Sequence, residues 1–138
     1  MKIIDLTRLI SEDMPVYPGA EQPKLTPVSS VAAAGFRETR LTMFSHTGTH
    51  MDAPAHVFTG RATLDSFPAS RFIGRALVID CRGPENGRII SPECLERQET
   101  KAEAADFLLF NTGWSRFWGR EEYFRDYPVI GDDVARRL

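Results

Sequence analysis

Short runs of apolar and β-branched residues alternate along this chain with polar segments that contain glycine or proline. Runs of this length are typical of β-strands, whereas amphipathic helices repeat apolar residues three and four positions apart over longer stretches. No internal repeat or low-complexity tract is visible. The pattern predicts strands at residues 2–10, 36–44, 75–80 and 106–110.

A helix is predicted between the last two strands, because Ser91 followed by Pro92 gives a capping residue and then a proline; it continues to about Thr100. Residues 132–138 place two aspartates before two arginines, an order that suits the helix dipole and predicts the opening turns of another helix. Residues 58–74 are predicted to form a covering loop with a short helix. Together these elements predict an α/β fold.

The composition fits one domain over residues 1–138, because 42% hydrophobic and 26% charged residues can bury a small core. A net charge of −2 without a basic stripe argues against nucleic acid as a partner. No apolar stretch suits a secretory signal or a membrane span, so a cytoplasmic protein without membrane contact is expected. Cys81 and Cys94 have no companion pair and are expected to be unpaired thiols without a zinc role.

All the histidines of the chain, His46, His50 and His56, lie within residues 46–56, together with Asp52. Histidine, aspartate and water are the ligands that zinc and neighbouring transition metals prefer. A single histidine is more often structural than catalytic when it is taken alone. The whole cluster favours a metal site, because four such groups would need an improbable local network to be satisfied without an ion.

This segment is predicted to be extended or looped, because Gly48 and Pro54 disfavour a helix. Side chains at its even positions would then share one face. A straight strand would separate the α-carbons of His46 and His50 by about 13 Å, so the chain is expected to curl at Gly48. Thr47 and Thr49 have two open interpretations, as donors that orient the ligands or as ordinary β-branched residues. We predict His46, His50 and Asp52 as metal ligands and His56 as the general acid/base.

Residues 46–56 read His-Thr-Gly-Thr-His-Met-Asp-Ala-Pro-Ala-His. This sequence resembles the signature of the metal-dependent cyclase family, which includes bacterial kynurenine formamidases (arylformamidases) and isatin hydrolases. The resemblance implies the same ligands and the same proton carrier at the positions named above. It also implies the swivelling β/α/β barrel-like fold of that family.

Residues 4–7, 14–19 and 107–114 are similar to further parts of the family sequence. Tyr17 stands where formamidases usually place a tryptophan that contacts the substrate, so the resemblance implies an aromatic wall for a planar substrate. A turn or core aromatic is the other interpretation of Tyr17. Trp114 is expected to serve packing rather than the site.

Members of the family continue for roughly a half-domain beyond the point that corresponds to Leu138, and that part supplies a further histidine and a glutamate. The C-terminal portion of the fold is therefore expected to be missing from this chain. The resemblance also implies a homodimer or homotetramer in which neighbouring chains help to build the site.

The site predicts a metal-dependent hydrolase that cleaves a formamide, amide or cyclic imide bond of a small-molecule substrate through activated water, with His56 carrying the proton. By resemblance, an N-formylkynurenine-like substrate is favoured. One or two divalent ions are expected, with zinc before manganese, because this ligand set suits several metals. Two other hypotheses stay open: an inactive metal-binding domain, and an interaction or oligomerisation module that exposes an apolar patch.

Overall fold

The computed structural model describes residues 3–83, 88–96 and 98–138. The chain divides into two compact units, Met1–Leu64 and Asp65–Leu138. Both strands and helices are present, which confirms the predicted α/β class. The single domain over residues 1–138 stays a prediction. In the part of the chain that is described, no helix has the length and apolar character needed to cross a bilayer.

The first unit contains an antiparallel hairpin with one helical turn in its connection. Ser30 caps this turn, because its side-chain oxygen accepts a hydrogen bond from the backbone N–H of Ala33 at 3.3 Å. Gly35 ends the turn in the left-handed conformation, with φ at +78°. In chain order the elements are β1 (Lys24–Ser29), α1 (Val31–Ala34), β2 (Glu38–Thr42) and the 3₁₀ turn Pro54–His56.

The second unit is built on two pairs of parallel strands. Its strands and helices are β3 (Ala76–Asp80), β4 (Ile89–Ile90), α2 (Glu93–Glu96), α3 (Glu99–Glu103), β5 (Phe107–Asn111), β6 (Val129–Ile130) and α4 (Asp132–Ala135). Its 3₁₀ turns include Ala69–Phe72, Trp114–Phe117 and Glu121–Phe124. β3 pairs with β5 along its whole length, and β4 pairs with β6. Parallel pairing requires a crossover, which α2 and α3 supply between β3 and β5.

The core of the second unit is a small cluster of buried side chains from β3 and the residue that follows it, from β4 and from α2. Cys81 and Cys94 do not form a disulfide, and both belong to this cluster. Burial raises the pKa of the Cys81 thiol to about 12, and the neighbouring Cys94 adds to this rise. Such thiols pack as small apolar groups and are poor nucleophiles. The members of the cluster are Ile79, Cys81, Ile90, Cys94 and Leu95.

Three predicted strands are confirmed as β2, β3 and β5, with limits that differ by one or two residues at their ends. The predicted C-terminal helix is confirmed as α4. Residues 58–74 contain loops and 3₁₀ turns, as predicted. These agreements follow from local signals, since apolar runs, caps and breakers act within a few residues.

The strand predicted at residues 2–10 is wrong for residues 3–10, which the structure describes as irregular backbone. Asp5 accepts hydrogen bonds from the backbone N–H and the hydroxyl of Thr7, at 2.8 and 2.6 Å. This local turn uses groups that a strand ladder would need. Lys2 lies outside the described residues.

The helix predicted from Ser91 to Thr100 is divided into α2 and α3, and α3 continues to Glu103. Gln98 interrupts the helical path, because its φ of −138° and ψ of 18° lie outside the helical region. The sequence prediction missed β1, since Pro27 argues against a strand interior. β1 accommodates Pro27 next to an irregularity of register between Pro27 and Ser29.

Candidate metal centre

A tight turn brings the histidines of the first unit together. Residues 45–49 form turns and bends, and Gly48 has a left-handed φ of +64°. The ring centres of His46 and His50 lie 5.1 Å apart. The predicted curl at Gly48 is therefore confirmed, and glycine suits this position because a β-carbon is strained at positive φ.

The donor atoms of His46, His50 and Asp52 converge on one point. Nδ1 of His46 lies 2.8 Å and Nε2 of His50 lies 3.5 Å from Oδ1 of Asp52, and the two nitrogens are 3.3 Å apart. Donors on one zinc ion, bound at about 2.0–2.1 Å with tetrahedral angles, are about 3.3 Å from one another. The spacing and the donor types therefore fit a divalent transition metal.

A backbone contact selects the nitrogen that His50 presents to this cluster. Nδ1 of His50 lies 3.0 Å from the carbonyl oxygen of Gly48. A carbonyl only accepts hydrogen bonds, so Nδ1 carries the proton in the neutral ring and the lone pair of Nε2 faces Asp52. Metal-binding histidines commonly have such a partner, which fixes both the tautomer and the ring orientation.

His56 lies beside the cluster at the end of the 3₁₀ turn Pro54–His56. Its ring centre is 4.0 Å from that of His46, and the two planes are inclined by 43°. Pro54 begins the turn, where its missing N–H and fixed φ are tolerated. The structure thus places His56 next to the predicted ligands, and its role as general acid/base stays a prediction.

The N-terminal segment supports the turn, and sequence reasoning missed this contribution. The backbone N–H of Arg8 donates a hydrogen bond to the hydroxyl of Thr49 at 3.0 Å. Met14 is buried, and its terminal methyl lies 2.9 Å from the position that a β-carbon on Gly48 would occupy. Thr47 is also buried. An apolar methionine directly after three polar residues was the available signal, but its contact with the turn depends on the tertiary fold.

Gly48→Ala is expected to lower the free energy of unfolding by about 1–2 kcal/mol, because alanine is strained at positive φ. The Met14 methyl must also move, so the affinity for zinc is expected to fall as well. Thermal unfolding and a zinc titration against a chromophoric chelator measure the two effects. Gly35→Ala is the matched control, since Gly35 has a φ of +78° with open space around it. Equal losses of zinc affinity in both variants would contradict a specific role for the Gly48 turn.

Tyr17 and Trp114, the two aromatic residues considered in the sequence analysis, have different surroundings in the structure. Tyr17 is 62% exposed in a turn that is closed by a hydrogen bond from the Ala20 N–H to its carbonyl oxygen at 2.9 Å. Its substrate-binding role stays a prediction. Trp114 packs against Phe117 with ring centres 4.6 Å apart, and its Nε1 donates to the carbonyl oxygen of Tyr123 at 3.0 Å. Trp114 therefore has a packing role in the second unit.

Comparison with known proteins assigns this chain to a family. Residues 4–138 match the Cyclase family, described as "Putative cyclase". An uncharacterized protein of Methanocaldococcus jannaschii is 35% identical over 138 residues, which cover 99% of this chain and 63% of that protein. A kynurenine formamidase of Salinibacter ruber is 31% identical over 119 residues, which cover 81% of this chain and 52% of the relative. The chain thus spans less than two thirds of the length of these relatives.

Solved structures support the same assignment. Isatin hydrolase A from Labrenzia aggregata superimposes with a TM-score of 0.77 at 26% identity, over 98% of this chain and 62% of that one. A "predicted metal-dependent hydrolase" from Bacillus stearothermophilus gives a TM-score of 0.69 at 30% identity, again over 98% and 62%. These matches confirm the expected fold over the part of it that this chain represents. The chain belongs to the Cyclase family and has the fold of these hydrolases over about three fifths of their length.

Proposed function

We propose that this chain carries the metal-binding and proton-transfer residues of a hydrolase that cleaves a carbon–nitrogen bond in a formamide, amide or cyclic imide. The observation that carries the proposal is the convergence of the donor atoms of His46, His50 and Asp52 at 2.8–3.5 Å from one another. Relatives named kynurenine formamidase and isatin hydrolase support this type of bond. A small N-formyl aryl amine resembling N-formylkynurenine is the favoured substrate.

His46, His50 and Asp52 would hold one divalent ion, with zinc favoured over manganese, and Asp52 would be the residue shared with a second ion if one binds. Such an ion supplies water that is activated at neutral pH and polarises the carbonyl oxygen of a substrate. The Gly48 carbonyl holds the His50 ring in the orientation described above. His56, whose ring lies beside that of His46, would accept a proton from the attacking water and return it to the leaving nitrogen.

A second candidate function is a metal-binding or oligomerisation domain without catalytic activity. Large apolar side chains are exposed in both units, among them Leu9 at 86%, Ile73 at 72% and Val57 at 69%. Extensive exposure of apolar side chains is typical of surfaces that bind another protein chain. We propose that a homodimer or homotetramer covers part of this surface, and light scattering on the purified chain measures its oligomeric state.

The proposed hydrolase is tested by loading the protein with zinc or manganese and measuring turnover of N-formylkynurenine, formanilide and isatin. We expect hydrolysis of at least one substrate above the rate in buffer that contains the same metal. Asp52→Asn is expected to lose both metal and turnover, because it removes the only carboxylate in the predicted ligand set. A protein that retains metal but hydrolyses none of the three substrates would favour the non-catalytic candidate.

A further inference from the structure

A shallow cleft of the first unit is lined in part by the 3₁₀ turn Pro54–His56. It has a volume of about 290 Å³ and is lined by Pro54, Phe58 and Arg61. Pro54 and Phe58 offer mostly apolar surface, whereas Arg61 places one permanent positive charge at the wall. The cleft shares Pro54 with the 3₁₀ turn that ends at His56. An apolar cleft with one charged group has the character of a site for a small molecule.

Backbone hydrogen bonds hold this cleft in place. The N–H of Phe58 donates to the carbonyl oxygen of Pro54 at 3.1 Å, and the N–H of Arg61 donates to that of Phe58 at 3.3 Å. The N–H of Ala55 donates to the carbonyl oxygen of Ala62 at 3.1 Å and closes the loop. These bonds hold the backbone of Arg61 in place next to Ala62. Ala62 pairs with Ala55, which immediately precedes His56 in the chain.

The guanidinium group of Arg61 has no hydrogen-bond or ion-pair partner among residues 3–83, 88–96 and 98–138. Some of the other arginines have acidic partners: Arg82 pairs with Asp80 at 2.7 Å and Arg88 pairs with Asp126 at 3.2 Å. Arg61 can therefore take an anionic ligand without first breaking an ion pair. Arginine suits carboxylates because its planar group donates two parallel hydrogen bonds.

We infer that Arg61 and Phe58 form a binding subsite for an aromatic substrate that carries a carboxylate. The guanidinium group of Arg61 binds the carboxylate, and the arene packs against Phe58 and Pro54. The identification of this ligand as a substrate rests on the proposed hydrolase function. The binding of an aromatic carboxylate at the subsite does not, because binding can be measured without catalysis.

The test compares benzoate with benzamide, which have nearly the same shape and differ in charge. Ligand-observed NMR titrations give the dissociation constants for the metal-loaded wild type and for Arg61→Gln. We expect the wild type to prefer benzoate by about fivefold to tenfold, as for a charge-assisted pair that is partly screened by water. Arg61→Gln is expected to remove this preference, and Arg61→Lys to keep part of it. High salt is expected to weaken only the binding of benzoate.

Arg40→Gln is the matched control, because Arg40 is an exposed arginine of β2 in the same unit and does not line the cleft. It is expected to leave the benzoate preference unchanged, and unchanged thermal unfolding of all variants shows that folding is preserved. The inference is overturned if benzoate and benzamide bind equally to the wild type. It is also overturned if the benzoate preference survives in Arg61→Gln, since the carboxylate would then bind elsewhere.

Turnover separates this inference from the proposed function. With N-formyl-2-aminobenzoate, Arg61→Gln is expected to raise KM by about fivefold to tenfold with little change in kcat, and to leave the KM for uncharged formanilide unchanged. If neither compound is hydrolysed by the wild type, the hydrolase proposal fails while the benzoate titrations still decide the subsite. Equal effects of Arg61→Gln on both substrates would overturn the carboxylate subsite while leaving the hydrolase in place.

Discussion

Replacing His50 by alanine is expected to abolish the retention of metal by the purified protein. The variant loses one of three donor atoms that lie within 3.5 Å of one another. Loss of an outer partner alone costs metal sites about 10–100-fold in affinity, so loss of a ligand is expected to cost more than about 100-fold. Inductively coupled plasma mass spectrometry after dialysis against metal-free buffer measures the metal content per chain.

His56→Ala is the control for the metal measurement, because His56 lies beside the cluster and is not one of its three donors. The wild type and His56→Ala are both expected to retain about one ion per chain under conditions in which His50→Ala retains none. Equal metal content in the wild type and His50→Ala would remove His50 from the ligand set. Loss of metal from His56→Ala would instead show that the His56 ring is needed to hold the metal, either as a ligand or through its contact with His46.

The second large effect is expected on catalysis. His56→Ala is expected to reduce kcat for an N-formyl aryl amine by about 10²–10⁴-fold, the usual contribution of a positioned acid/base group. The binding of metal is expected to persist, because the donors of the other two histidines and of Asp52 are unchanged. Steady-state kinetics on protein of verified metal content measure this effect.

Adding free imidazole to His56→Ala distinguishes a catalytic role of His56 from a structural one. Free imidazole can occupy the space left by the ring and carry the proton, so it is expected to restore part of the lost rate. Disturbance of the neighbouring His46 ring, whose centre is 4.0 Å away, would lower the metal content instead and would not respond to imidazole in this way. A His56→Ala variant with wild-type kcat would show that His56 is not the general acid/base.

Sequence reasoning found the elements with strong local signals. β2, β3 and β5 follow from apolar runs, and α4 follows from two acids before two arginines. It failed where local signals pointed the wrong way. Residues 3–10 look like a strand but form a turn through Asp5 and Thr7, and β1 forms in spite of Pro27. In both cases the available pairing partners decide the conformation, and an apolar run does not identify them.

The sequence by itself determined the candidate ligand set, because His46, His50 and Asp52 lie close together in the chain. It also determined the curl at Gly48, because the backbone preference of glycine acts locally. Only the tertiary structure decided that Arg8 and Met14 support this turn, since Arg8 and Thr49 are 41 residues apart. The parallel pairing of β3 with β5 also emerged only from the folded chain. Contacts of this kind depend on which segments meet after long loops have closed, and local propensity carries little of that information.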